Sequence, residues 1–198
     1  MFSGIIEEVG AIKSIDNLSQ SKKITITCQK VFKDVSIGDS IAVNGVCLTA
    51  TSINDNEFDV DVIHETLERS NLNDLVEGSA VNLERAMTYN QRVSGHLVQG
   101  HVDTQAKVTD INKTEEWTEI DFEIDPNFKK YCILKGSIAI DGVSLTIAKR
   151  IETGIRVALI PHTLSNTILS GYKTNQRVNI ETDMVGKFIE NFSGVRSE

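Results

Sequence analysis

Ser40–Thr49 reads SIAVNGVCLT, and Ser137–Thr146, at an offset of 97 residues, reads SIAIDGVSLT. The stretches agree at seven of ten positions, and one of the three differences sets Ser144 where the first copy has Cys47. Thiol and hydroxyl are both small nucleophiles, so two equivalent places carry unequal reacting groups. A lone small thiol is ordinarily packing, and Ser144 alone would be a turn residue; their paired place in the cassette is what argues for chemistry. His101 follows a glycine in SGHLVQGHV (Ser94–Val102), where an imidazole can move a proton near neutral pH. His96, five residues earlier, is the weaker candidate, and His64 and His162 read as pocket walls. The hydroxyls of Thr49, Thr66, Thr146 and Thr163 can both donate and accept, although threonine is also a common strand residue. The four histidines have no metal-ligand spacing and give no zinc site.

The elements that must hold these groups are also duplicated. FDVDVIHETL (Phe58–Leu67) falls on IRVALIPHTL (Ile155–Leu164), both with the period-2 alternation of half-buried strands and both ending in a turn. VNLE at Val81 matches VNIE at Val178, and GIIEEVGAIKSI from Gly4 matches GHVDTQAKVTDI from Gly100 at an offset of 96, so one residue is inserted early in the second copy. Frequent short strands between Gly, Asn, Asp and Ser turns predict a closed antiparallel barrel per copy, an arrangement that leaves no sticky edge. The fold class is all-β, two tandem six-stranded antiparallel barrels with a C-terminal α-helix. Only brief helices fit between strands; Asp125-Pro126-Asn127 starts one. MTYNQRVS (Met87–Ser94) has no repeat counterpart and reads as a linker. Near the end, Val185, Phe188, Ile189 and Phe192 lie at i, i+3, i+4 and i+7, one helix face that must pack on its own barrel or on another chain. The expected domains are 1–96, with a linker at about 87–94; 97–185; and an oligomerisation helix at 186–198.

Composition bounds the partners. The 198 residues suffice for two small domains, each near the lower limit for burying a core unaided. A net charge of −8 and 6% aromatics argue against nucleic acid, because basic grooves and stacking platforms are both missing. No apolar run approaches a membrane span of about 20 residues. The acidic start, MFSGIIEEVG, carries no secretory signal, so a cytoplasmic protein is expected. Three cysteines without CxxC spacing read as reduced thiols.

MFSGII, NGVCLT, DGVSLT and SGHLVQGHV, in this order, resemble the riboflavin synthase family (alpha-chain type) over essentially the whole chain. The resemblance implies two six-stranded barrels plus a C-terminal helix, a homotrimer, and association with lumazine synthase. It implies dismutation of two 6,7-dimethyl-8-ribityllumazine molecules by transfer of a four-carbon unit, with no metal or redox cofactor. It further implies ring binding in the first barrel by Gly4, Ile5, Ile6, Cys47, Leu48, Thr49, Asp61, Val62, Ile63, His64, Glu65 and Thr66. In the second barrel the implied set is Gly100, His101, Val102, Lys135, Ser144, Leu145, Thr146, Ile160, Pro161, His162, Thr163 and Leu164. The catalytic set implied is Cys47, His101, Ser144, Thr146 and Asp183, Asp183 being equally explained as a helix cap. Val46 and His162 depart from residues found in some members, Cys and Glu. Lumazine proteins, which bind the same ligand without turnover, are the alternative; the intact Gly95, His96, Gly100, His101, Cys47 and Ser144 argue for the enzyme.

Overall fold

Alternation along KITIT puts Ile24 and Ile26 inside and leaves the intervening lysine and threonine outside, and each alternating segment behaves likewise. In the computed structural model, which describes residues 1–194, these segments close into two barrels. The first contains β1 (Glu8–Asn17), β2 (Ser21–Thr27), β3 (Ser40–Val43), β4 (Val46–Asn54), β5 (Glu57–Ile63) and β6 (Ala80–Arg85), in the order β1-β2-β5-β4-β3-β6. The second contains β7 (Thr104–Lys113), β8 (Thr118–Glu123), β9 (Ser137–Ile140), β10 (Val143–Arg150), β11 (Gly154–Leu159) and β12 (Arg177–Thr182), in the same circular order. Even the bulges repeat. Register shifts at Ile12/Ser14 and Ala50/Ser52 recur at Val108/Asp110 and Ile147/Lys149, bending equivalent strands at equivalent places. The inserted residue lies between β8 and β9, because β7 and β8 both keep the offset of 96 and β9 is the first strand at 97.

The segments after β5 and β11 are short helices rather than turns: α1 (His64–Arg69) and α3 (Pro161–Asn166). Pro161 begins α3 with its φ preset, and the Ser70 hydroxyl donates to Thr66 O at the end of α1. Asp125 caps α2 (Pro126–Lys129), its carboxylate accepting from Asn127 N at 2.9 Å. Residues 87–94 form neither helix nor strand. Helix α4 (Met184–Ser193) carries the apolar stripe, and Val185, Phe188, Ile189 and Phe192 all remain exposed. The end of the expected oligomerisation helix, 195–198, lies outside the described residues.

The NG and DG halves of the two cassettes join the barrels. Asn44-Gly45 and Asp141-Gly142 have positive φ at both residues, the backbone of a tight hairpin turn. The two turn tips abut so closely that a Cβ on Gly45 would lie 2.6 Å from Gly142 N. Around them runs a buried polar lattice with two-fold pseudosymmetry. Asn82 Nδ2 donates to Asp141 O (2.9 Å), and Asn179 Nδ2 donates to Asn44 O (2.8 Å). Asn82 N donates to Asn44 Oδ1 (2.8 Å), and Asn179 N to Asp141 Oδ1 (2.7 Å). Symmetry breaks around Asn71 and the acid: Asp141 also receives Asn71 Nδ2 (2.9 Å) and the hydroxyl of Tyr172 (2.6 Å), and Asn179 Nδ2 also donates to Asn71 Oδ1 (2.9 Å), where the other copy has Ile168.

Burial holds the Asp141 carboxyl up at about 7 against an ordinary 3.8, although Tyr172, Asn179 and Asn71 all donate to it. Between these values the folded state keeps a proton that the unfolded state releases, so this group lowers stability as pH rises from about 4 to about 7. Asp141→Asn, which copies Asn44, removes that dependence. The melting temperature of the variant minus that of the wild type is expected to grow between pH 4.5 and 8 (approximate bounds of the window); a constant difference would show that Asp141 does not titrate there.

Candidate active site

The CLT and SLT halves of the cassettes face the other way, at the mouths of the barrels. Cys47 and Thr49 lie on β4, and continuing the pairing Ala50↔Val60 sets Cys47 opposite Ile63. Ser144 and Thr146 lie on β10, and continuing Ile147↔Val157 sets Ser144 opposite Ile160. Ile63 and Ile160 are 61% and 60% exposed beside threonine hydroxyls, the mixture of apolar face and polar edge that a flat heterocycle can cover.

The leading segments of the two repeats cross over. The sequence reading assigns Gly4, Ile5 and Ile6 to the first barrel's site and Gly100, His101 and Val102 to the second's; the structure exchanges them. Ser144 N donates to Gly4 O at 2.7 Å, and Cys47 N donates to Gly100 O at 2.9 Å. Ile6 packs on the core of the second barrel and Val102 on that of the first. The cause is a backbone pair midway between the barrels: Phe2 N donates to Val98 O (2.7 Å) and Val98 N to Phe2 O (3.0 Å), with both side chains buried. Approach is close enough to demand glycine. A Cβ on Gly4 (φ +74°) would lie 2.6 Å from Ser144 Cβ, and one on Gly100 (φ +80°) would lie 2.5 Å from Cys47 Cβ.

Two unequal sites result. The first has Cys47, Thr49, Ile63 and Thr66 with His101 on the crossing segment; the second has Ser144, Thr146, Ile160 and Thr163 with Ile5 at the position equivalent to His101. His96 lies at the second site, and its Nδ1 is 2.7 Å from Ser144 Oγ. The geometry thus reverses the ranking of the two histidines: the one bonded to a candidate nucleophile is His96. A repeat-based reading underrates it because His96 has no counterpart in the first copy. Burial lowers the His96 pKa below its ordinary 6.5, and the Asp183 carboxylate works against that shift. Asp183 also caps α4, accepting from Val185 N at 3.0 Å, so the two readings of this residue coexist.

The remaining candidates divide by where their side chains go. Leu48 and Val62 are buried in the first core and can offer a ligand only backbone; Leu145 and Leu164 are partly buried on the second core. His64 pairs with Glu68 (3.2 Å) and Glu65 with Arg69 on the exposed face of α1, and His162 O accepts from Asn166 Nδ2 (2.8 Å) on α3. Asp61 and Pro161 are exposed. Lys135 takes φ +65°, a conformation costly for a residue with a Cβ, where the first copy has Gly38 at φ +96°. Two buried acids that hold the crossing segments, Glu84 and Glu181, escape sequence reasoning although VNLE and VNIE mark their strands.

A family model described as the lumazine binding domain matches the chain twice, over residues 3–86 and 99–183. Riboflavin synthase of Bacillus subtilis (strain 168) is 50% identical, with 97% of this chain and 89% of that protein aligned. The Mycobacterium tuberculosis (strain ATCC 25618 / H37Rv) riboflavin synthase is 42% identical over 96% of each. The chain belongs to the riboflavin synthase family. It is an enzyme, a transferase by family membership, and its duplication is that of two lumazine-binding domains. Among solved structures, LumP complexed with 6,7-dimethyl-8-(1'-D-ribityl) lumazine has 26% identity and a TM-score of 0.84, over 92% of this chain and 99% of that one. LumP complexed with riboflavin has 25% identity and a TM-score of 0.86, over 92% and 100%. Likeness to the family's enzymes is thus closer than likeness to LumP.

Because Asp183 raises the His96 pKa while burial lowers it, Asp183→Asn is expected to move the imidazole titration further down, followed by NMR. An unmoved midpoint would sever Asp183 from the His96–Ser144 pair.

Proposed function

We propose that the two sites bind two molecules of 6,7-dimethyl-8-ribityllumazine and that one cedes a four-carbon unit to the other, giving riboflavin and 5-amino-6-(D-ribitylamino)uracil. The observation carrying this reading is a pair of repeat-equivalent sites with unequal candidate groups, Cys47 held to the Gly100–His101 segment in one and Ser144 bonded to His96 in the other. A reaction between two copies of one substrate needs equivalent pockets, and a donor and an acceptor need different chemistry within them. Atoms balance between two substrates and two products, so the transfer needs no outside oxidant or reductant. His96, its proton affinity lowered by burial, is a free base at neutral pH and acts with Ser144 on a ring methyl proton or on the oxygen nucleophile that adds to the ring. Cys47 and His101 do the corresponding work on the other ring. Holding two rings in contact supplies several kcal/mol by turning an encounter into a bound pair.

The enzyme acts as a homotrimer in the cytoplasm, in association with lumazine synthase. Its domains are residues 1–96, 97–185 and a terminal oligomerisation helix. The exposed stripe on α4 supports the assembly: Val185, Phe188, Ile189 and Phe192 would each contribute roughly 1.5 to 3 kcal/mol if fully covered by a neighbouring chain. Among the described residues no helix is long and apolar enough to cross a membrane. Truncation after Val185 is expected to give particles of monomer mass by light scattering; an unchanged mass would assign the stripe another role.

In this assembly the first site of one chain faces the second site of its neighbour. The exchange of leading segments dictates how this is tested. One inactive chain carries Cys47→Ser and His101→Ala, the other Ser144→Ala and His96→Ala, so each loses one whole site. Wild-type chain should form riboflavin from the lumazine, seen by absorbance and fluorescence, and each variant should not. Refolding the variants together is expected to restore a fraction set by mixing. No recovery in verified mixed oligomers would confine the reaction to one chain, and stable lumazine fluorescence with wild type would leave only binding.

A further inference from the structure

We propose that Glu84 and Glu181 are positioning residues that act across the pseudo-two-fold axis, each fixing from its own barrel the segment that walls the other barrel's reactive site. Glu84, on β6 of the first barrel, accepts from Ser3 N (2.8 Å), Ser3 Oγ (2.9 Å) and Gly4 N (3.1 Å). The carbonyl of that same Gly4 accepts from Ser144 N in the second barrel. Glu181, on β12 of the second barrel, accepts from Gln99 N (2.7 Å), Gly100 N (2.8 Å) and His101 N (3.0 Å). The carbonyl of Gly100 accepts from Cys47 N in the first barrel. In both cases the acid is one residue removed from the strand that bears the reacting group of the opposite barrel.

The chemistry of the clamp explains why an acid is used. Three donors converge on each carboxylate, and an ionised carboxylate offers only acceptors, about four lone pairs on two oxygens. Each glutamate is 4% exposed, so its charge is stabilised by these donors rather than by water. Burial raises both carboxyls above their ordinary 4.5, and the donated hydrogen bonds work against that rise; at Glu181, Lys187 also lowers and Asp103 raises. A glutamine would keep one acceptor and turn an N–H₂ toward a backbone N–H. The segment would then lift from the reactive strand even though both barrels stay closed, since neither carboxylate takes part in a strand ladder.

Cys47 reports on this directly. It is partly exposed while Cys28 and Cys132 are buried, and Gly100 lies against its Cβ, so release of the Gly100 segment uncovers the thiol. In the full chain, N-ethylmaleimide labelling of the Cys47 peptide, timed by mass spectrometry, should accelerate about tenfold in Glu181→Gln, the low end for losing a charged acceptor. The same labelling should be unchanged in Glu84→Gln, although Cys47 and Glu84 share a barrel. His96, whose backbone N–H donates to Ser3 O, gives the reciprocal reading: its imidazole resonances should shift in Glu84→Gln and not in Glu181→Gln. Acceleration by both variants, by neither, or by Glu84→Gln alone would overturn the proposal. Should Glu181→Gln fail to fold by circular dichroism, Glu181→Asp, which retracts the carboxylate by one methylene, is read by the same criteria. The importance of the clamp for turnover rests on Cys47 and Ser144 being the reacting groups, but labelling needs no turnover: the crossed pattern in a chain that forms no riboflavin would sink the enzymatic reading and leave the clamp.

Discussion

The backbone pair between Phe2 and Val98 is the interaction on which the rest depends. Each barrel is closed, so neither offers a free edge along its length on which a further strand could be added. At the barrel mouths, where β4 and β10 begin, Cys47 N and Ser144 N take partners from outside the barrel, Gly100 O and Gly4 O. One two-hydrogen-bond contact on the pseudo-axis thereby directs both leading segments, each to the barrel it does not precede. Phe2 and Val98 are buried with Ala42 and Ala139, which are themselves repeat equivalents, so this small apolar cluster is shared equally by the two halves. Each segment is then held on its own barrel's acid, Ser3 and Gly4 on Glu84 and Gln99 to His101 on Glu181.

A two-fold contact must also resist sliding, and apolar burial alone does not fix register. The polar lattice of Asn44, Asn82, Asp141 and Asn179 does, because each donor and acceptor is matched only in one relative placement of the barrels. Half-satisfied buried amides would cost more than an apolar patch. Here they are satisfied: among the described residues the one buried side-chain oxygen without a partner is Gln105 Oε1, outside this lattice. Asp141 goes further than Asn44 in drawing Tyr172 from the second core, where its ring makes an edge contact with Phe122 at 6.4 Å. The seam is therefore anchored more deeply in the second barrel than in the first.

Much of the fold was legible because barrels are built from local patterns. Period-2 alternation set the strands, the 96- and 97-residue offsets set the duplication, and Asp125-Pro126 announced α2. The candidate reacting residues were legible for the same reason, since Cys47 and Ser144 differ within a repeated cassette. What the sequence could not show was which copy of a segment meets which copy of a cassette. Gly4 and Gly100 have the same local sequence logic, and uncrossed and crossed pairings satisfy the same alternation; the Phe2–Val98 contact, a long-range choice, separates them. The cassette likewise looked like one functional unit, whereas Asn44-Gly45 serves the seam and Cys47-Leu48-Thr49 the mouth. His96 lies outside the repeat, and repeat logic is blind to what occurs once.

The exchange bears on why the two halves are one chain. Two separate copies of a single repeat, crossing in this way, would present each other with identical segments and create two identical pockets. Such a pair could bind two ligands but could not tell them apart. In the fused chain position 5 is Ile where its equivalent is His101, position 47 is Cys where its equivalent is Ser144, and His96 in the connecting stretch reaches one site with no equivalent at the other. The scaffold keeps its symmetry where symmetry does mechanical work, in the barrels, the bulges and the seam. It departs from symmetry at the atoms that would touch the two rings. Crossing sharpens the effect, because each site combines a cassette from one repeat with a strand from the other, and a single change in either repeat alters only one of the two sites. A symmetric frame with independently variable walls is what a reaction between two copies of the same molecule requires: equal binding of both, and unequal treatment of each.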